Sequence, residues 1–248
     1  MVCQRMIVRL GLTFVVCALT LTVADESVGE FTPPKGLPDG WFARIETSEG
    51  RIIARLLPGQ APQSVAHFAA LAEGRLEWFD ESTGQLKKYR YYDGVKVHRV
   101  VAGGLFEAGN PSGPGQIAPD LFVPREGFGP VNFSHPGRLG MVRDGGATSG
   151  VRFFATASGQ APLNRIAPCF GEIVSGLDVV VNISQKRAYG NGKPIDPPVI
   201  ERIRIFSVGE VAPLPEPEPY ADERSHPSVK KPGAAPDVKP RSNEPDES

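Results

Sequence analysis

Two largely apolar runs, residues 41–47 and 51–57, flank the polar turn Ser48-Glu49-Gly50, where glycine can take positive φ, and together they predict a β-hairpin. After Pro62 the period becomes helical. Val65, Phe68, Ala69, Leu71 and Ala72 share one face, the proline stands where a first turn tolerates it, and Gly74 supplies the stop. Short apolar runs predict further strands at 95–101, 105–108, 138–142, 152–156, 169–174 and 199–206, with a short helix over 177–185. The polar stretch 77–90, with Thr83-Gly84 near its centre, reads as a surface loop. Many short strands with two helices predict a mainly β domain, a closed barrel capped at its ends.

The two ends of the chain break these periods. Arg5 and Arg9 precede an apolar run over 10–23, and Ala24 precedes the acidic Asp25-Glu26, the layout of a secretory signal peptide cut after Ala24. That layout predicts a periplasmic or secreted protein. The alternative is an uncleaved membrane anchor, for which the run is shorter than the ~20 apolar residues that span a bilayer. Residues 25–40 carry prolines, glycines and acids without an apolar period and read as a linker, which leaves the domain at 41–208. From 209 to 248 the chain turns to proline, acids, lysine and serine, too few apolar groups to offset the entropy of ordering, so a disordered spacer is expected. A polyproline segment that binds something is the other reading of this tail.

Composition narrows the classes of function. With 248 residues and 40% hydrophobic content the chain can bury one sizeable core. A net charge of -1 with both signs dispersed lacks the basic stripe of a nucleic-acid binder. Removal of Cys3 and Cys17 with the signal peptide would leave Cys169 alone, without an internal disulfide, in an apolar strand where a buried, inert thiol is expected. The histidines His67, His98, His135 and His226 lack carboxylates or cysteines at ligand spacing, so no zinc site is expected, and nothing calls for a cofactor.

Candidate chemistry lies in two segments, Val97-His98-Arg99-Val100-Val101 and Gly150-Val151-Arg152-Phe153-Phe154-Ala155-Thr156. Alternation along a strand sets Arg99 opposite His98 and Val100, and divides Phe153 and Phe154 between core and surface, so an arginine and a phenylalanine can share one exposed groove. Together with the Gly103-Gly104 turn, Gly109, Met141, Phe170-Gly171, and the upstream stretches 47–52 and 61–68, these residues resemble the cyclophilin family of peptidyl-prolyl isomerases, over roughly residues 41–206. The resemblance implies a closed eight-stranded barrel capped by two α-helices, a monomer, and an enzyme that acts on proline-containing peptides or unfolded exported proteins.

The chemistry so implied needs neither nucleophile nor cofactor. An X-Pro amide rotates against a barrier of ~18–20 kcal/mol because resonance is lost in the twisted state. A catalyst has only to bind that state better than either planar isomer, and an arginine can do so by donating to the proline nitrogen or a nearby carbonyl. By resemblance Arg99 is the catalytic arginine, Phe154 the floor of the proline pocket, Leu105 and Leu163 its walls, and Met141 a substrate-binding position on a neighbouring strand. Other substrate-binding positions depart from the family pattern. Glu107 and Arg152 replace glutamines, Arg143 an asparagine, Gly104 a phenylalanine, Pro162 a tryptophan or other ring, and Ala167 a histidine. Loss of ring-sized walls makes the pocket shallower, and burial of a ring is worth ~1.5–3 kcal/mol. Glu107 can pair either with Arg99, competing with substrate, or with Arg152, which would leave Arg99 available and the groove suited to acidic peptides. The alternative function is a peptide-binding module of the cell envelope with weak catalysis or none.

Overall fold

The computed structural model describes residues 32–80, 83–110, 121–144 and 147–218. The signal peptide, residues 25–31 of the linker and the tail beyond 218 lie outside them. Residues 32–36, which group apart from the compact unit beginning at Leu37, contain only a turn at Lys35-Gly36.

The expected hairpin is β1 (Gly40–Thr47) and β2 (Gly50–Leu56), paired in register from Phe42↔Arg55 to Thr47↔Gly50. It is followed by α1 (Pro62–Glu73), a small hairpin of β3 (Trp78–Asp80) and β4 (Gln85–Lys87), then β5 (Val95–Lys96), β6 (Arg99–Val101), β7 (Leu105–Ala108), β8 (Phe122–Val123), β9 (Arg138–Asp144), β10 (Ala147–Thr156), β11 (Cys169–Ser175), α2 (Leu177–Ser184) and β12 (Val199–Val208). Ten of these strands form one curled sheet in the order β5-β12-β1-β2-β11-β9-β10-β7-β6, with β8 beside β10. The fold is mainly β with two α-helices, as expected. The strand count differs from eight because the apolar run 95–101 is two strands, not one, because β8 adds a short strand beside β10, and because β3 and β4 pair as a separate two-stranded sheet. Val97 N–H donates to Pro198 O at 2.8 Å on the β12 side, whereas His98 N–H donates to Glu107 O at 3.1 Å on the β7 side. The chain thus crosses from one edge of the sheet to the other at Val97-His98, and the edges are joined by this covalent link rather than by a ladder.

The helix α1 fills the inside of the curl. Residues Ser64 to Ala72 are all buried, so the stripe predicted by periodicity has widened to the whole circumference. Phe68 is its anchor, with its ring centroid 5.1 Å from Phe170, 5.3 Å from Phe153 and 5.3 Å from Tyr92. Gly74 ends the helix in the left-handed conformation at φ 73°, and its N–H caps the carbonyls of Ala70 and Leu71. The N-terminus is capped from a distance: Glu126 accepts from the amides of Gln63 at 3.2 Å and Ser64 at 2.5 Å, a carboxylate at the positive end of the helix. The second helix, α2, packs Val179, Val180 and Ile183 inward.

Two expectations need correction. The stretch 77–90 is not a plain loop: β3 and β4 pair from Trp78↔Lys87 to Asp80↔Gln85, Lys87 forms an ion pair with Asp80, and Trp78 is buried with its ring 4.9 Å from Tyr91. Trp78 is the inward anchor of this hairpin, and Leu86 on β4 is exposed. The start of the tail, residues 209–218, is not a free spacer either. It runs extended along the domain, held by Trp41, Gln63, His67 and Arg75, with Leu214 packed against the main core.

Candidate active site

Backbone register builds the site. Arg99 on β6 is paired with Glu107 on β7, Glu107 with Phe154 on β10, Phe154 with Gly140 on β9, and Gly140 with Cys169 on β11. Partners in register project to the same face of a sheet, so these residues form one row across five strands. Along β6 the alternation holds: Arg99 has 46% of its side chain exposed, while His98 and Val100 are buried.

Phe154 departs from the expected split. It lies on the face opposite Phe153, yet only 3% of it is exposed, because Leu105, Phe133, Ala167 and Cys169 surround it in a second apolar cluster outside the main core. Val131, Val142 and Leu163 pack on that cluster half-buried. The rings of Phe133 and Phe154 have centroids 5.2 Å apart, and both lean into the space that a side chain at position 140 would take: a Cβ on Gly140 would stand 2.7 Å from Phe133 Cζ and closer still to Phe154. Behind Phe133 a cavity of about 230 Å³ reaches Asn132, Asn164 and Ala167.

Of the residues singled out from sequence, Arg99, Glu107, Phe154 and Leu105 come together on the row and its flank, and Leu163 joins them from the short 3₁₀ turn Ala161–Leu163. Pro162 is exposed on that turn. Met141 does not belong to the groove. Along β9 the alternation turns Gly140 and Val142 to the apolar cluster and Met141 to the main core, where it is fully buried opposite Phe153. Arg143 gives one donor to the loop that follows the turn, from Nη1 to Ile166 O at 3.4 Å, and Arg152 lies near enough to His98 and Tyr91 for its charge to act on both.

Sequence reasoning missed Phe133, which no periodicity marks, and Gln160. A Cβ on Gly104 would meet Gln160 Nε2 at 3.2 Å and Val101 Cγ1 at 3.1 Å. A polar amide therefore borders the place vacated by the missing ring. Asn164 is a further positioning residue, its Oδ1 accepting from Phe133 N–H at 2.8 Å and its Nδ2 donating to Ser134 Oγ at 3.0 Å.

The electrostatics centre on Glu107, whose carboxylate accepts from Arg99 Nη1. His98 Nε2 is 3.8 Å from the other oxygen of Glu107, and His98 Nδ1 is buried without a hydrogen-bond partner. Burial, and after it the charges of Arg152 and Arg99, hold the His98 imidazole down to about 4, so the ring is neutral at pH 7. The sign follows from linkage. The unfolded chain takes up this proton near pH 6.5 and the folded chain only near 4, so stability is complete above the upper value and falls as pH drops between the two. The loss is roughly 3 kcal/mol. His67, also lowered by burial, acts in the same direction. We expect His98→Gln to shrink the difference between melting temperatures at pH 7 and pH 4.5; an unchanged difference would contradict this account. Cys169, pushed up to about 12 chiefly by burial, is protonated at neutral pH.

Comparison with known proteins adds to this geometry. The profile of the family described as cyclophilin-type peptidyl-prolyl cis-trans isomerase/CLD matches residues 42–205. Peptidyl-prolyl cis-trans isomerase A of Mycobacterium tuberculosis is 34% identical over 165 residues, which cover 66% of this chain and 91% of that one. Isomerase B of Streptomyces anulatus is 34% identical over 167 residues, covering 66% and 95%. Among solved structures, a cyclophilin-type isomerase of Cryptosporidium parvum, crystallised in the presence of the dipeptide Ala-Pro, aligns with a TM-score of 0.56 at 24% identity over 67% of this chain and 99% of its own, a likeness of fold.

Proposed function

Because the chain belongs to the cyclophilin-type peptidyl-prolyl cis-trans isomerase family, we propose that it accelerates X-Pro exchange in exported proteins, with Arg99 stabilising the twisted amide above a pocket made by Phe154, Leu105 and Leu163. The observation that carries this reading is the register that sets Arg99, Glu107 and Phe154 side by side on three adjacent strands. Proline packs at the mouth of the cluster that holds Phe154, against half-buried Leu163, and the half-exposed guanidinium on the same face donates to the amide as its nitrogen becomes pyramidal. A charge-assisted hydrogen bond made only in the twisted state lowers the barrier by ~1.5–3 kcal/mol, roughly 10- to 100-fold in rate. Orientation and exclusion of water over the apolar floor supply the rest.

A second reading, a peptide binder with little turnover, is favoured by one contact. Glu107 already occupies Arg99 Nη1, so a substrate carbonyl must compete with a carboxylate for the same donors. Export of the domain rests on the layout of residues 1–26, and with it the choice of substrates among proteins of the envelope or exterior.

The peptide preference follows from charge. Arg99, Arg143 and Arg152 outnumber Glu107 around the groove, so an acidic residue before the proline is favoured. Exchange NMR on short peptides should show faster catalysed exchange for Glu-Pro than for Lys-Pro, by about 2- to 10-fold at low salt and less as salt screens it. Binding shifts without any acceleration would establish the second reading. Equal rates for both peptides would remove the charge argument.

A further inference from the structure

Residues 212–218 alternate contacting residues with prolines. Trp41 Nε1 donates to Ala212 O at 2.8 Å, Leu214 packs on the main core, Glu216 pairs with Arg75 at 3.3 Å, and Glu218 is held at both backbone groups, its N–H donating to Gln63 Oε1 at 2.9 Å and its carbonyl 3.1 Å from His67 Nε2. Pro213, Pro215 and Pro217 stand between these contacts. Each proline fixes φ near −65° and removes an amide donor, so the segment remains extended without a strand partner and loses little entropy on docking. The receiving side chains come from β1, α1 and, for Arg75, the turn just after α1, whereas the row of Arg99, Glu107 and Phe154 lies on β6, β7 and β10. Cavities of about 550 and 470 Å³ border the docked segment, both lined by Trp41 and Pro213.

An indole donor, an amide acceptor and a fully buried imidazole aimed at backbone groups, with an apolar socket between, are what recognition of an extended proline-rich chain requires. His67 is 2% exposed, is neutral at pH 7, and spends Nε2 on this contact while Nδ1 has no partner. We infer that the surface formed by Trp41, Gln63, His67 and Arg75 is a second peptide-binding site, separate from the candidate active site, built for acidic segments of alternating X-Pro pattern and filled by the chain's own residues 212–218. The segment is a ligand held in cis by its high effective concentration, and the surface binds the same segment offered in trans once the attached copy is released.

The experiment uses the full chain. Leu214→Asp removes the apolar anchor and frees the surface, and a synthetic peptide of residues 210–218 is then titrated while the Trp41 indole N–H signal is followed by NMR. We expect saturable binding that returns the signal to its wild-type position, no saturable change with the unsubstituted chain, and binding roughly tenfold weaker for a peptide with its prolines replaced by alanine. A folded Leu214→Asp chain that ignores the peptide, or binds both peptides equally, overturns the proposal. Where Leu214→Asp does not fold, amide hydrogen exchange of the unsubstituted chain decides. Exchange at Glu218 well above the core strands, raised further by Gln63→Ala, supports a docked ligand, and protection equal to the core makes the segment a fixed part of the fold and overturns it.

Discussion

Arg99→Ala should slow the catalysed exchange of X-Pro peptides by about 10- to 100-fold, the range of one charge-assisted hydrogen bond made only in the twisted state. The side chain is half-exposed on the outer face of β6, so no core packing is lost. The substitution does strand Glu107, whose side chain is 13% exposed, and Arg99→Lys separates the two effects. It keeps a cation beside the carboxylate while losing the planar, five-donor fork of the guanidinium. We expect Arg99→Lys to melt within a degree or two of the parent, since a pair of this exposure contributes about 1 kcal/mol or less, and yet to lose most of the acceleration. Glu107→Gln makes the opposite test. The amide oxygen still accepts from Arg99, but without charge it holds the guanidinium less firmly, and kcat/KM should rise. Full activity in Arg99→Ala would take the arginine out of the mechanism, and a fall in Glu107→Gln would make the carboxylate a support for Arg99, not a competitor.

Much of this was legible in the residues because the signals were local. The hairpin at Gly50, the helix between Pro62 and Gly74, and the strands around Leu105, Leu139 and Ile203 each carry their own period and their own turn chemistry. The groove was legible to the extent that it follows from alternation, which set Arg99 outward and put Phe153 and Phe154 on opposite faces. What could not be read was long-range. Whether Phe154 is covered depends on Phe133, a residue 21 positions away in the chain that approaches only because Gly140 leaves room for both rings. The break at Val97-His98 is set by which edge each amide faces, and an uninterrupted apolar run conceals that. Met141 was misplaced because its strand was read without its register.

The segment 209–218 failed for a different reason. Composition measures how much apolar surface a stretch can bury by itself, and by that measure a run of prolines and glutamates stays in solvent. It does not measure what the domain offers. One leucine, two backbone groups of Glu218 and a carbonyl at Ala212 meet partners already fixed on β1 and α1, and the prolines reduce the entropy to be overcome. A compositional boundary at 209 therefore leaves out residues 209–218, which lie against the domain.

The adjacent phenylalanines of β10 allow stability and function to be separated within one strand. Phe153→Ala should cost about 3–5 kcal/mol of stability, since its fully buried ring packs edge-on against Phe68 at 5.3 Å and Tyr92 at 5.5 Å, and the surrounding helix and strands cannot collapse into the space. Activity per folded molecule should change little, because that ring faces away from Arg99. Phe154→Ala should lie at or below the lower end of the same range, as its cluster is small, borders the groove and can admit water. Its effect on peptides should be larger: the proposed proline pocket would lose ~1.5–3 kcal/mol of apolar contact, so KM should rise by roughly 10- to 100-fold while kcat falls less. Urea unfolding paired with exchange kinetics on both variants reads the two quantities independently. Equal stability losses with equal kinetics would mean that the second cluster is merely more core, and the proline site would have to be sought elsewhere on the sheet.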